Sequence, residues 1–420
     1  MFKKTKLFKI LFILILILNI FLPTILADDL NEALEEYDKI NDEVIETNAK
    51  QIDIPNINSR AAVIIDRNSN TILFGKNENS RRKMASTTKI MTCLIVIEKG
   101  NLEDTIEISR KSASTGGSRL GLKTKDKVKV KDLLYGLMLC SGNDAAVALA
   151  EYISGDIKNF SYLMNNKAKE LGLKDTNFET PHGLDSENHY TTAYELALLT
   201  NFALNNPTFA KIVNTKTCTI TINGYPKTIT NTNELLGNLN GVYGVKTGFT
   251  NGANRCLVTA CKRNNLDIIC VVLGADTKKF RTKDSINLIE YTFKNYEPFN
   301  IQNFIDEQFE IWKKDNLNNF SIIKGKNNNI NIKLEPLKNP IVPIKKDNIN
   351  NLTCTVACKK ILNAPLNQDE PIGSIDLYCN NTIISSSKIL LNSNINKKNI
   401  FDYFINFYKD IKKIPKNIYL

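Results

Sequence analysis

The order of its elements restricts this chain's fold more than any other feature. Between Ala61 and Tyr296, strand-like apolar runs come first and nearly last, and helix-like runs fill the middle. Ala61–Asp66 and Thr71–Phe74 are joined by the polar link Arg67-Asn68-Ser69-Asn70, which reads as a hairpin. Val242–Thr247, Arg255–Cys261 and Leu266–Leu273 follow much later, the last two joined by the turn pair Asn264-Asn265. In between, Ser86 opens a helical pattern of Ile90, Met91, Leu94, Ile95 and Ile97 that stops at Gly100. Leu133–Leu139, Ala145–Ile153, Phe160–Leu173 and Thr192–Leu204 also read as helices, and Asp284–Tyr296 as a closing helix. Early and late strands must share a sheet to bury their apolar faces, which makes the expected class α+β, one antiparallel sheet flanked by helices.

The rest of the 420 residues divides by composition. Residues 1–27 carry Lys3, Lys4, Lys6 and Lys9, then the apolar run Ile10–Leu22, then Pro23 and Ala27 before Asp28-Asp29. That is the layout of a secretory signal peptide with cleavage after Ala27; the alternative is an uncleaved anchor, for which the run is shorter than the ~20 residues of a spanning helix. Residues 28–57 form an acidic leader without visible chemistry, and 58–297 form the main domain. In 298–395, Asn and Lys rise and helical periodicity fades. Short alternating runs there (Ile330–Leu334, Leu352–Ala357, Gly373–Tyr378, Thr382–Ser386) read as a small β-rich domain. In 396–420, Ile400, Phe401, Phe404, Ile405, Tyr408 and Ile411 share one helical face beside Lys409, Lys412, Lys413 and Lys416. Such a C-terminal amphipathic helix can lie on a membrane surface or pack on its own protein.

The charge is +11, from 55 Lys+Arg against 44 Asp+Glu. Lysine is spread along the chain and no nucleic-acid motif is recognisable, so nucleic acid is not an expected partner. Most of the nine cysteines sit in apolar runs and read as small buried hydrophobes. No metal site and no cofactor is expected. His182 and His189 are the only histidines, too few for a His-rich centre, and both read as structural.

Three short motifs carry the chemistry: Ser86-Thr87-Thr88-Lys89, Ser141-Gly142-Asn143 and Lys246-Thr247-Gly248. Together they supply a nucleophile, a base beside it, a second hydroxyl and a cationic strand, the set for serine acyl transfer without histidine. Singly they are weak. Ser-x-x-Lys also begins at Ser80, Ser321 and Ser385, and Ser-x-Asn recurs at Ser186 and Ser285. Ser86 alone precedes a long apolar helical pattern, which puts Ser86 and Lys89 one turn apart at a helix N-terminus, where developing negative charge is favoured. Ser141 lies between two apolar helices, where capping is the alternative role. Lys246-Thr247-Gly248 occurs once, at a strand's end, and Gly248 there admits close backbone approach.

Arg82–Thr92 (RKMASTTKIMT), Leu133–Glu151 (LLYGLMLCSGNDAAVALAE), Pro181–Leu184 (PHGL), His189–Leu198 (HYTTAYELAL) and Gly244–Thr250 (GVKTGFT) extend the likeness. From about Ala61 to Asn295 the chain resembles the serine-type D-alanyl-D-alanine carboxypeptidases, the low-molecular-mass penicillin-binding proteins with a β-lactamase/transpeptidase-like domain. One departure is Asn254, where that family usually has glycine. The resemblance implies that Ser86 attacks the terminal D-Ala–D-Ala bond of peptidoglycan stem peptides, Lys89 is the base and Ser141 relays the proton. It implies that Asn143 holds Lys89 and the substrate amide, and that Lys246 and Thr247 bind the terminal carboxylate, with Gly248 alongside. The N–H groups of Ser86 and Phe249 would form the oxyanion hole. β-Lactam antibiotics would be covalent inhibitors, and the setting an exported enzyme at the outer face of the cytoplasmic membrane. A β-lactamase of the same fold is disfavoured, because no Glu-x-x-Leu-Asn pattern lies between Ser141 and Lys246. A sensor that stays acylated is disfavoured by the lack of several spanning segments.

Overall fold

The computed structural model describes residues 54–327 and 329–412, with side chains of the last helix described through Tyr408. The signal-peptide reading of 1–27, most of the 28–57 leader and the end of the tail lie outside the described residues. Two compact units emerge. The first holds the described residues up to Ile65, then Ile72–Lys262 and Ile268–Thr292; the second holds Phe293 onward with Asp66–Thr71 and Arg263–Asp267.

The first unit is built on a five-stranded sheet. Its strands are β1 (Ala61–Asp66), β2 (Ile72–Lys76), β3 (Val242–Thr250), β4 (Asn254–Arg263) and β5 (Leu266–Ala275), in the order β2-β1-β5-β4-β3. The early hairpin and the late strands share one sheet, as their apolar runs require. Every residue of β1 and β5 is buried, which explains sequences such as Ile268-Ile269-Cys270-Val271-Val272. Those strands are covered on both faces and so do not alternate.

Seven helices matter to the site: α1 (Lys89–Lys99), α2 (Val130–Leu139), α3 (Asn143–Ser154), α4 (Ile157–Glu170), α5 (Ala193–Leu204), α6 (Pro207–Val213) and α7 (Lys278–Asn295). Helix α1 is the axis of the core. Lys89 to Val96 are all buried, and α1 packs on α2, α3, α4, α5 and α6. A helix enclosed in this way is apolar around its circumference rather than along one stripe. A second sheet, formed by Thr105–Glu107, Lys127–Lys129, Thr217–Ile222 and Tyr225–Thr230, was not legible in the sequence. Its first two strands are three residues each, too short to show a period.

The hairpin links follow from backbone sterics. Of the non-glycine residues described at positive φ, eight are asparagines, including Asn264 and Asn265 in the β4–β5 turn. Asparagine tolerates this left-handed region better than other side chains. Asn254 belongs to this group at φ 58°, which is why asparagine can stand where the resembling family has glycine.

The second unit corrects one expectation. Helical periodicity does not vanish after residue 297: helix α8 (Ile301–Asn316) runs through the region, burying Ile301, Ile305 and Phe309. They join Ile375, Leu377, Ile389 and Leu391 of a four-stranded sheet ordered Ile332–Leu334, Thr382–Leu391, Gly373–Cys379, Leu352–Cys358. The three apolar positions recur at i, i+4 and i+8, a helical signal masked by polar neighbours. Helix α9 (Ile400–Lys412) ends the described chain. Asn399 and Asp402 cap it reciprocally: the Asp402 N–H donates to Asn399 Oδ1 at 2.9 Å and the Asn399 N–H to Asp402 Oδ2 at 2.8 Å. Among the described residues no helix is long and apolar enough to cross a membrane.

Four cysteines (Cys93, Cys256, Cys261, Cys270) are buried and five are only half-buried, each packed against one of the two cores. The small-hydrophobe reading holds, although full burial covers fewer of them than the sequence implied.

Candidate active site

Ser86 does not lie within the α-helix that follows it. Ala85–Thr88 is a short 3₁₀ turn, and α1 begins at Lys89. In a 3₁₀ turn the side chains at i and i+3 eclipse, which aligns Ser86 and Lys89 more directly than an α-turn does. Lys89 Nζ stands 2.8 Å from Ser86 Oγ. Two elements press the turn into place. On one side is β3: a Cβ on Gly248 would meet the Met84 carbonyl at 3.1 Å and the Ser86 nitrogen at 3.2 Å. Gly248 is therefore glycine because the serine turn lies against it, a different reason from the substrate approach read in the sequence. On the other side is the Pro181-His182-Gly183-Leu184 loop. Gly183 has φ +86°, and a Cβ there would fall 1.9 Å from the Ala85 carbonyl.

Both histidines serve this loop. His189 Nδ1 accepts the Glu179 N–H at 2.9 Å, so its Nε2 carries the proton and donates to Thr88 Oγ1 at 2.7 Å. Thr88 in turn donates to the Ala85 carbonyl at 2.8 Å. The His182 ring accepts the Leu184 N–H, and the His182 carbonyl accepts from Lys89 Nζ at 2.8 Å. Burial pushes the His182 imidazole down to about 3 and the His189 imidazole down to about 4, so both rings are neutral at pH 7. Among the described residues no group of three or more His, Cys, Asp or Glu is arranged to hold a metal ion.

The second motif bends in from the α2–α3 connection. The N-cap of α3 is Gly142 and no side chain caps it, so Ser141 is not the capping residue that its position allowed. Asp144 does the local structural work: its carboxylate accepts the N–H groups of Leu120, Gly121 and Leu122 at 2.8, 2.8 and 3.0 Å. Asn143 Oδ1 accepts from Lys89 Nζ at 2.7 Å, and Asn143 Nδ2 donates to the Gly116 carbonyl at 2.7 Å. Ala85 (φ 48°) and Ser141 (φ 59°) are left-handed without being glycine or asparagine. Strain of that kind persists only where surrounding structure imposes it.

Lys89 thus has two carbonyl oxygens and one hydroxyl as partners. A carbonyl oxygen can only accept. In neutral Lys89 the two N–H bonds go to Asn143 and His182, and the lone pair is left facing the Ser86 O–H. The environment favours that state. Burial pushes the Lys89 ammonium well below its ordinary value, and the Lys246 charge pushes it further, against a weaker opposing pull from Asp144. Lys246, which is 1 % exposed and donates to the Thr247 carbonyl at 2.9 Å, is lowered to about 7 by burial and then by Arg281.

These residues border one cleft of about 690 Å³. Ser86, Ser141, Thr247, Gly248 and Phe249 line it, whereas Lys89, Asn143 and Lys246 stand behind its wall. The structure therefore gathers all eight candidate residues, five on the surface of the cleft and three beneath it. It adds groups that no motif marks. Thr232 bonds Thr247, Oγ1 to Oγ1, at 2.8 Å; the Arg255 guanidinium lies 3.7 Å over the Phe249 ring; and Arg281 enters from the first turn of α7. Thr232 and Arg281 arrive from segments with no sequence signature of their own, whereas Arg255 opens the strand run Arg255–Cys261.

The comparisons agree with this geometry. The D-alanyl-D-alanine carboxypeptidase family matches residues 46–277, and the C-terminal domain of penicillin-binding protein 5 matches residues 307–397. The D-alanyl-D-alanine carboxypeptidase DacF of Bacillus subtilis is 33% identical over 84% of this chain and 88% of its own length. DacA of Escherichia coli is 29% identical over 85% of this chain and 88% of its own. The solved D-alanyl-D-alanine carboxypeptidase DacD of Francisella tularensis superposes with TM-score 0.67 at 27% identity, covering 84% of this chain and 98% of that one. The Streptomyces K15 DD-transpeptidase does so with TM-score 0.56 at 33% identity, covering 58% of this chain and 100% of that one. With its lysine-paired serine set in that fold, the chain belongs to the serine-type D-alanyl-D-alanine carboxypeptidases, the penicillin-binding enzymes that act on peptidoglycan.

Proposed function

We propose that Ser86 is the nucleophile of this carboxypeptidase and that the enzyme removes the terminal D-alanine of stem pentapeptides through an acyl-enzyme on its Oγ. The observation that carries the reading is the 2.8 Å contact of Ser86 Oγ with a buried lysine whose two N–H bonds are committed elsewhere. Ser86 Oγ attacks the carbonyl carbon of the D-Ala–D-Ala bond while its proton passes to Lys89 Nζ. The N–H groups of Ser86 and Phe249 hold the oxyanion, and losing such a donor typically costs ~3 kcal/mol in the barrier. Ser141, on the cleft wall, passes the proton to the leaving amine, and D-alanine departs. Water then attacks the ester carbonyl, and Ser86 regains its proton. Asn143 holds Lys89 and keeps one Nδ2 hydrogen for the substrate amide. Thr247 and Arg281 meet the terminal carboxylate at the cleft wall, and the buried Lys246 charge lies behind them. β-Lactams acylate the same oxygen.

The setting in this reading is the outer face of the cytoplasmic membrane, reached by export on residues 1–27. Helix α9 supports a membrane surface as partner. Ile400, Phe401, Phe404, Ile405, Phe407 and Tyr408 are all exposed on it, an apolar area that a soluble helix ordinarily covers.

The test compares the wild-type chain with Ser86→Ala in two assays: covalent labelling by a fluorescent penicillin, and D-alanine release from diacetyl-Lys-D-Ala-D-Ala. Wild type labels and releases D-alanine, and Ser86→Ala does neither. Persistent labelling of Ser86→Ala would move the nucleophile elsewhere, and rapid nitrocefin turnover by wild type would make the protein a β-lactamase.

A further inference from the structure

Arg281 sits in the first turn of α7, is 4 % exposed and lines the cleft beside Thr232 and Thr247. Its Nη2 donates to Glu234 Oε1, and the same oxygen accepts from Thr282 Oγ1 at 2.5 Å. Glu234 follows directly on Thr232 and Asn233, so the segment that anchors Thr247 through Thr232 also anchors Arg281. The buried Leu235 and Leu236 hold this segment in the structure. Arg281 Nε, Glu234 Oε2 and Asn233 Nδ2 have no hydrogen-bond partner among the described residues. These atoms are enclosed, so what Arg281 offers to the cleft it lines is the part of the guanidinium that Glu234 does not hold.

We infer that Glu234 is a positioning residue for the terminal-carboxylate subsite: by holding one arm of the Arg281 guanidinium it directs the remaining donors at an incoming carboxylate, and so selects peptides with a free C-terminus over amidated ones. The inference rests on the proposed function in naming the site, and it extends that reading to a residue that does not touch substrate. It has an electrostatic side. The charged or titratable groups about Lys246 are Lys89, Arg281 and the Cys140 thiol, and those about Glu234 are Arg281 and Lys278. Glu234 offsets Arg281. Without it, the Arg281 charge would repel the Lys246 ammonium more strongly, and Lys246 would lose its proton at a lower pH.

Binding in a Ser86→Ala background tests this without turnover. Calorimetry measures the affinity of the full chain for diacetyl-Lys-D-Ala-D-Ala and for its C-terminal amide between pH 5.5 and 9. The Ser86→Ala chain prefers the acid, and the preference fades as pH rises through the Lys246 titration. Adding Glu234→Gln cuts the preference about ten-fold, the scale of one charge-assisted hydrogen bond, leaves affinity for the amide unchanged, and moves the pH limb to lower pH. An unchanged acid-to-amide ratio with an unmoved limb overturns the inference, as does an equal loss for both peptides. Where Glu234→Gln does not fold, Glu234→Asp decides, since it keeps the charge but withdraws it by one methylene: the ratio falls and the limb stays, and a wild-type ratio overturns the inference. Failure of the proposed function appears separately, as absence of D-alanine release by the wild-type enzyme.

Discussion

Two lysines sit where burial penalises their charge, and each is depressed chiefly by that burial. Such groups cost stability and supply reactivity. The sign for Lys246 follows from its titration at about 7 in the folded chain against the ordinary 10.5. Between those values the unfolded chain binds the extra proton, so folded stability rises with pH across the window, and below about 7 the full cost of burying the charge is present. Lys246→Met should therefore melt above wild type, by the widest margin below pH 7 and by a shrinking margin toward pH 10.5, while acylation falls. Thermal melts of the two proteins across that range check it; a margin independent of pH would show that Lys246 is not held against its charge. Ala85, next to Ser86, and Ser141, on the cleft wall, are both left-handed, and Gly183 leaves no room for a Cβ against the Ala85 carbonyl.

The elements divide into those that make the site and those that hold it. The 3₁₀ turn and the first residue of α1 carry Ser86 and Lys89, β3 presents Thr247 to Phe249, and the α2–α3 bend delivers Ser141 and Asn143. The 181–184 loop and the 231–236 segment hold them, and neither bears an obvious catalytic pattern. Helix α9 bears on the proposed membrane contact instead. A row of exposed Ile, Phe and Tyr side chains on a capped helix predicts adsorption to a membrane surface. Full burial of such a side chain is worth ~1.5–3 kcal/mol, so even partial insertion of several suffices for binding. Co-sedimentation with vesicles containing anionic lipid should capture the full chain, and deletion of 396–420 should release it with D-alanine release from a soluble peptide intact. Equal capture of both would place the membrane contact elsewhere.

At the scale of the whole molecule, every residue assigned to the site lies in the first unit. The Streptomyces K15 enzyme, which matches 58% of this chain, is a structure of that extent standing alone. A chain ending at Asn295 should accordingly fold and label with fluorescent penicillin at the full chain's rate, measured by gel time course; a truncation that melts cooperatively yet fails to label would give the second unit a part in acylation. Much of this architecture was legible in the sequence. Strand and helix patterns placed the five-stranded sheet and α1 to within a few residues, because burial on a known period leaves a trace in residue order. The three motifs named seven residues that the fold brings to one cleft, and the family resemblance added Phe249; each motif is local, confined to a single turn or strand. Helix α8 escaped, its three buried positions scattered among polar ones, and so did the three-residue strands. Arg281, Glu234 and Thr232 also escaped, and for a deeper reason. Their part in the site comes from contacts between segments far apart in the chain, such as Glu234 with Arg281, and no local spacing encodes such a meeting. Residue types and periods determined which elements form and which side chains could do chemistry; only tertiary packing decided which of them stand behind the cleft, which line it, and how far burial lowers the charge of Lys89 and Lys246.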